Sequence, residues 1–182
     1  NANLLARYAK IVQKNNMVPI VEPEVLMDGS HSIEKCYDAT SRTLKSLFQN
    51  LEEENVDITG TILKPNMVTP GSEHQEKIGV ETVAKETLRC LHECVPGNLP
   101  AITFLSGGQS ETVSTEHLDA MNKIGGFPWK LSFSYGRALQ AGALKAWLGK
   151  SENVDAAQSA FSHRALMNKK AALGQWSKDL EV

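Results

Sequence analysis

The sequence predicts the α/β class, with parallel strands joined by crossover helices and arranged as half of an eight-stranded barrel. Short apolar runs at residues 17–21, 58–63, 101–105 and 131–134 alternate with longer segments of helical periodicity. That alternation argues for parallel strands with helical crossovers. Each run leads into a polar residue: Glu22, Lys64, Ser106 and, just past Ser134, Arg137. Glu22 lies 42 residues before Lys64, Ser106 lies 42 after it, and Arg137 follows 31 further on. In a parallel barrel all strand C-termini meet on one face, so polar residues repeated there mark a site. Four strand-helix units make half a barrel, and an open four-stranded sheet leaves two unpaired edges.

The elements follow in order. Residues 3–16 form a helix with Leu4, Tyr8, Ile11 and Val12 on one face. No strand precedes it, which in such a series implies that one has been left out. The strand at 17–21 is followed by Glu22 and Glu24, two residues apart and so on one side of an extended chain. A long helix over 32–54 repeats Ile33, Cys36, Thr40, Leu44, Leu47 and Leu51. It is expected to fray at Glu52-Glu53-Glu54, where acidic charge opposes the helix dipole. The strand at 58–63 delivers Lys64, and Pro65 keeps that lysine extended at the strand end.

A polar loop over 66–79 leads to a helix marked by Val80, Val83, Thr87, Leu88 and Leu91, which stops at Pro96-Gly97. The strand at 101–105 opens into Ser106-Gly107-Gly108-Gln109-Ser110, which lacks the lysine of a nucleotide-binding P-loop. Paired glycines let backbone amides approach an anion closely. A helix at 114–124 ends at Gly125-Gly126, and the strand at 131–134 feeds Tyr135-Gly136-Arg137. A helix starting near Gly136 sets Arg137 at an electropositive N-terminus, a poor place for a cation unless an anion lies between. The helix at 153–173 ends the readable pattern.

Composition narrows the function. The 182 residues are 41% apolar, enough for one core, and carry a formal charge of −2. No dense basic stretch is interleaved with aromatics, so nucleic acid and anionic membranes are not expected partners. No apolar run approaches the roughly twenty residues that span a bilayer. No secretory signal is read, and Cys36, Cys90 and Cys94 show no Cys-x-x-Cys, so they read as buried free thiols of a reducing cytoplasm. His31, His74, His92, His117 and His163 show no ligand spacing and read as ordinary histidines, with no metal site. Taken singly, Lys64 is a strand-end lysine reaching solvent and Glu22 part of an acidic turn. Their shared spacing makes them a common site: a neutral lysine amine attacks carbonyl carbon, and a carboxyl beside it can serve as acid and base.

Four stretches carry a resemblance. Val21-Glu22-Pro23-Glu24, Leu63-Lys64-Pro65-Asn66-Met67-Val68-Thr69-Pro70-Gly71, Thr103-Phe104-Leu105-Ser106-Gly107-Gly108-Gln109-Ser110 and Phe133-Ser134-Tyr135-Gly136-Arg137-Ala138 resemble the class I fructose-bisphosphate aldolases. The likeness runs from Asn1 to about Ala172. It departs at Thr59, where the family usually carries glutamate before the glycine matched by Gly60. The resemblance implies a TIM (β/α)8 barrel, of which residues 1–182 form the C-terminal half of one domain, with no separate second domain. It implies reversible cleavage of fructose bisphosphate to dihydroxyacetone phosphate and glyceraldehyde phosphate, in glycolysis and gluconeogenesis, without metal or other cofactor. Lys64 would form the Schiff base, with Glu22 and, beside it, Glu24 as the carboxylates of the reaction. Ser106, Gly107, Gly108, Ser134, Gly136 and Arg137 would hold the phosphate nearest the ketone.

The resemblance further implies a cytoplasmic homo-oligomer, a tetramer, and an N-terminal half that carries an aspartate acid/base, further lysines and an arginine for the second phosphate. The family's C-terminal tyrosine is unmatched, since the chain closes Trp176-Ser177-Lys178-Asp179-Leu180-Glu181-Val182. Another lysine-dependent barrel, such as a transaldolase, fits the double-glycine and Ser-Tyr-Gly-Arg stretches poorly. A non-catalytic sugar-phosphate-binding or scaffold fragment is the alternative from another class, and the isolated chain is expected to be inactive.

Overall fold

The computed structural model describes residues 1–181. Four short parallel strands form one sheet in sequence order: β1 (Ile20–Val21), β2 (Ile62–Leu63), β3 (Ala101–Phe104) and β4 (Lys130–Phe133). Six helices accompany them: α1 (Ala2–Lys14), α2 (Ile33–Glu53), α3 (Val80–Cys94), α4 (Glu111–Ile124), α5 (Arg137–Trp147) and α6 (Val154–Ala172). The parallel α/β class is as expected. Ile20, Ile62, Ala101 and Lys130 share one register layer, and Val21, Leu63, Ile102 and Leu131 the next. Side chains alternate across a strand, and here the alternation divides the sheet sharply. Val21, Leu63, Ile102, Phe104 and Leu131 are buried beneath the helices, in one core with Leu44, Leu47, Leu51, Leu88, Leu91, Leu118 and Met121. On the other face Ile20 and Lys130 are exposed, and Ile62, Ala101 and Thr103 are half-buried.

The strands are shorter than the apolar runs. Met17 and Val18 stay outside β1 and are exposed, because the Met17 amide closes α1 by donating to the Val12 carbonyl; the ladder begins only where Ile62 donates to the Pro19 carbonyl. Ile58–Gly60, expected as strand, is a single 3-10 turn. The Asp57 carboxylate accepts from both the amide and the hydroxyl of Thr59 at 2.9 and 2.7 Å, a local bond that competes with the ladder. Gln13 of α1 clamps the same turn, accepting from the Asp57 amide at 3.0 Å and donating to the Asp57 carbonyl at 2.8 Å. Helix α4 starts three residues before the expected Ser114, because the Ser110 side chain caps it by accepting from the Val113 amide at 3.2 Å.

The expected packing face of α1 is corrected. Leu4, Tyr8 and Ile11 lie on the exposed side of α1, and Ala6 and Ala9 are the residues pressed into the core. Small residues let α1 sit close against α2, and the larger apolar stripe faces outward. Helix α2 is helical to Glu53, and at its C-cap Lys10 of α1 supplies a cation to Glu54 at 2.8 Å. Cys36, Cys90 and Cys94 are buried free thiols, as expected.

Candidate active site

Polar residues collect where the strands end. Lys64 directly follows β2, and its amide donates to the Val21 carbonyl at 2.8 Å, which extends the β1–β2 register by one residue and sets Lys64 beside Glu22. Their side chains meet: Lys64 Nζ is 2.9 Å from Glu22 Oε1. The lysine side chain is 20% exposed and the glutamate 45%, so the amine is largely enclosed and the carboxylate faces the open side. Glu24, the second expected carboxylate, forms no ion pair with Lys64 among the described residues. It is exposed and lines a separate cavity of about 190 Å³ with Gly107, Gly108 and Arg137.

That cavity brings together the two glycine-bearing loops. Gly107 and Gly108 carry φ of +58° and +83°, a left-handed backbone that favours glycine. Arg137 opens α5 directly after Gly136, as expected, and is exposed without an ion-pair partner among the described residues. A cation held at a helix N-terminus is the unfavourable arrangement that an intervening anion relieves. Ser106, Ser134 and Gly136 lie in the same loops but do not line this cavity, and Ser106 is buried.

Residues not singled out as site residues hold these loops in place. Asn66, two past Lys64 and buried, accepts from the Val25 amide at 3.0 Å and donates to Thr40 of α2 at 3.0 Å, tying the Glu22–Glu24 segment to the Lys64 strand end. The Gly71 amide donates to the His31 carbonyl at 2.9 Å, and the Glu73 amide to the Gly29 carbonyl at 2.9 Å, so the loops after β1 and β2 are bonded to each other. His117, read from sequence as ordinary, is buried in α4 with its Nδ1 2.6 Å from Gln109 Oε1, and burial pushes its pKa down to about 4. Its sequence signal was the shared helical face with Ser114, Leu118 and Met121, which marks burial but gives no partner.

Fold and site together define a parallel α/β chain that presents an amine-carboxylate pair at its strand ends, beside a glycine-lined cavity edged by arginine. The family model described as "Glycolytic: Fructose-bisphosphate aldolase class-I" matches residues 1–182. Among curated proteins, the chain is 54% identical over 183 residues to cytosolic fructose-bisphosphate aldolase 4 of Arabidopsis thaliana, covering 100% of this chain and 47% of the relative. It is 54% identical to fructose-bisphosphate aldolase B of Ovis aries, covering 97% of this chain and 49% of the relative. A solved Plasmodium falciparum fructose-bisphosphate aldolase, in a ternary complex with TRAP and a small-molecule inhibitor, superposes with a TM-score of 0.94 at 48% identity, covering 97% of this chain and 51% of that one. The chain belongs to the class I fructose-bisphosphate aldolase family. It spans about half the length of the curated relatives it matches.

Proposed function

We propose that residues 1–182 supply the last four strand-helix units of a TIM (β/α)8 barrel, and that this barrel reversibly cleaves fructose bisphosphate through a Schiff base on Lys64. The observation that carries the reading is the 2.9 Å approach of Lys64 Nζ to Glu22 Oε1 at the ends of adjacent parallel strands. The half-barrel rests on the one-sided sheet, since parallel sheets are ordinarily covered on both faces and this one leaves Ile20 and Lys130 bare. Its open edges, β1 and β4, are where the strands of an N-terminal half would pair.

In this mechanism the Lys64 amine adds to the ketone carbon, and Glu22 gives a proton to the departing hydroxyl of the carbinolamine. The iminium that results draws in the electron pair of the breaking carbon-carbon bond, the role a metal ion fills in metal-dependent aldolases. The phosphate next to the ketone lies among Ser106, Gly107, Gly108, Ser134, Gly136 and Arg137, whose cation takes up its charge. The base that removes the proton for carbon-carbon cleavage belongs, on this reading, to the N-terminal half, as do the ligands of the second phosphate. Relatives named as cytosolic support a cytoplasmic location. Among the described residues no helix is long and apolar enough to cross a membrane.

Borohydride trapping tests the central assignment. The complete barrel is mixed with dihydroxyacetone phosphate, reduced, and mapped by peptide mass. The adduct is expected on Lys64, and an adduct on any other lysine overturns the mechanism.

A further inference from the structure

The serine-glycine loop is fastened to α4 from two directions. Within the loop, the Gln109 amide donates to the Ser106 carbonyl at 3.0 Å, and the Gln109 side-chain Nε2 donates to the same carbonyl at 3.0 Å. The turn that carries Gly107 and Gly108 is thereby closed twice. Because Gln109 Nε2 is engaged there, its amide oxygen points toward α4, and His117 Nδ1 lies 2.6 Å from it. An amide oxygen only accepts, so Nδ1 must carry the proton and donate. This bond fixes which way the Gln109 amide is turned; without it the amide can rotate off the Ser106 carbonyl. The second loop hangs on the same helix, with Tyr135 Oη donating to the Ser114 carbonyl at 2.9 Å. Ser114 and His117 lie three residues apart, so one face of α4 sets the spacing between the Ser106–Gly108 loop and the Gly136–Arg137 loop.

We propose that His117 is a positioning residue for the phosphate subsite, acting through Gln109 to hold the Ser106–Gly108 loop at the distance from Arg137 that a phosphate group requires. The proposal rests on the reading of these loops as the phosphate site. It assigns His117 no contact with substrate and no proton transfer. Its effect falls on the phosphorylated end of a ligand: the amine of Lys64 stands at the end of β2 and is paired with Glu22, and the strut reaches that strand end through the weak contact of Gln109 Nε2 with Met67 Sδ at 3.6 Å, not through a bond to the amine.

The test compares two probes on the complete barrel, dihydroxyacetone phosphate and unphosphorylated dihydroxyacetone, each trapped on Lys64 by borohydride over a range of concentrations. For His117→Leu the half-saturating concentration of the phosphorylated probe is expected to rise about fivefold, the ordinary worth of one hydrogen bond, with that of the unphosphorylated probe unchanged. His117→Asn, whose side-chain amide nitrogen can stand near the position of Nδ1, is expected to restore the phosphorylated probe. Equal weakening of both probes by His117→Leu means a packing role and overturns the proposal. An unchanged ratio in His117→Leu, with Arg137→Ala raising it, overturns the proposal and leaves the phosphate site standing. An unchanged ratio in both variants removes the phosphate site itself. If His117→Leu does not fold, Gln109→Met removes the same strut from the loop side and is read by the same criteria.

Discussion

Replacing Arg164 by methionine tests how the end of the chain is held. After α6 the segment 174–181 turns back across α4 and α6, and Arg164 is the post to which it is tied. The Arg164 side chain is 7% exposed, with Nη1 donating to Glu181 Oε1 at 2.9 Å and to Thr115 Oγ1 at 3.2 Å, and Nη2 bonded to the other Glu181 oxygen. Trp176 Nε1 adds a third bond to Glu181 at 2.8 Å, and the Trp176 amide donates to Asp119 at 2.9 Å. Burial pushes the Glu181 carboxyl up, but the bonds from Arg164 and Trp176 outweigh it and hold the group below its ordinary range.

Arg164→Met keeps the apolar stem and removes the cation, leaving the enclosed Glu181 carboxylate with the Trp176 Nε1 bond and with His163 3.8 Å away in place of its paired guanidinium. Breaking such a pair from one side costs about 3–5 kcal/mol, and the partial exposure of Glu181 points to the lower end. The urea midpoint is therefore expected to fall by about 1–2 M. Arg164→Met combined with Glu181→Gln leaves no orphaned charge and should be more stable than Arg164→Met alone. A carboxyl with a depressed folded pKa contributes stability that is present above its unfolded value of about 4.3 and lost as pH falls through the folded value. That acid-sensitive contribution should shrink in Arg164→Met. A midpoint shift under about 0.3 M, or a double variant no more stable than the single one, would refute this account of the pair.

Two further outcomes are expected. His117 has a folded pKa of about 4 against about 6.5 unfolded, so the unfolded chain takes up the proton first. Stability should be complete above about pH 6.5 and fall by about 1.4 kcal/mol per pH unit toward pH 4; urea melts of His117→Asn should lack that slope, and parallel pH profiles would remove the buried neutral histidine. A Cβ at position 71 would overlap the Gly29 carbonyl oxygen. Gly71→Ala should therefore cost about 1–3 kcal/mol and speed proteolysis within residues 26–32, whereas unchanged cleavage would mean the two loops do not depend on each other.

What sequence revealed follows a physical divide. Glu22, Lys64, Ser106 and Arg137 were legible because each follows an apolar run and has a proline or glycine beside it, signals confined to a few neighbouring residues. Helices α2, α3 and α6 were legible for the same reason, since their periodicity lies within the helix. The 3-10 turn at Ile58–Gly60 was missed because Ile58, Ile62 and Leu63 look like one strand, while Gln13, which helps clamp the turn, lies 44 residues from Asp57. The packing side of α1 was missed because hydropathy favours Leu4, Tyr8 and Ile11, whereas close approach to α2 favours Ala6 and Ala9. His117 with Gln109 and Arg164 with Glu181 are tertiary pairs, and no local pattern announces them.

The order of the sheet bears on how the chain comes to be folded. Among these four strands each pairs only with the strand immediately before or after it in the chain, so none of the three pairings between them waits for a distant segment. A nascent chain leaving the ribosome can therefore add one unit at a time: β1 finds its partner once Leu63 emerges, β2 finds β3 once Phe104 emerges, and helices α1 to α4 are each made before the strand that follows them. The Lys64 and Glu22 side chains meet at the first of these pairings, well before the Ser106–Gly108 and Gly136–Arg137 loops are synthesised. Within these four units the lysine-carboxylate pair is thus assembled before the Ser106–Gly108 and Gly136–Arg137 loops, which emerge just ahead of α4 and α5.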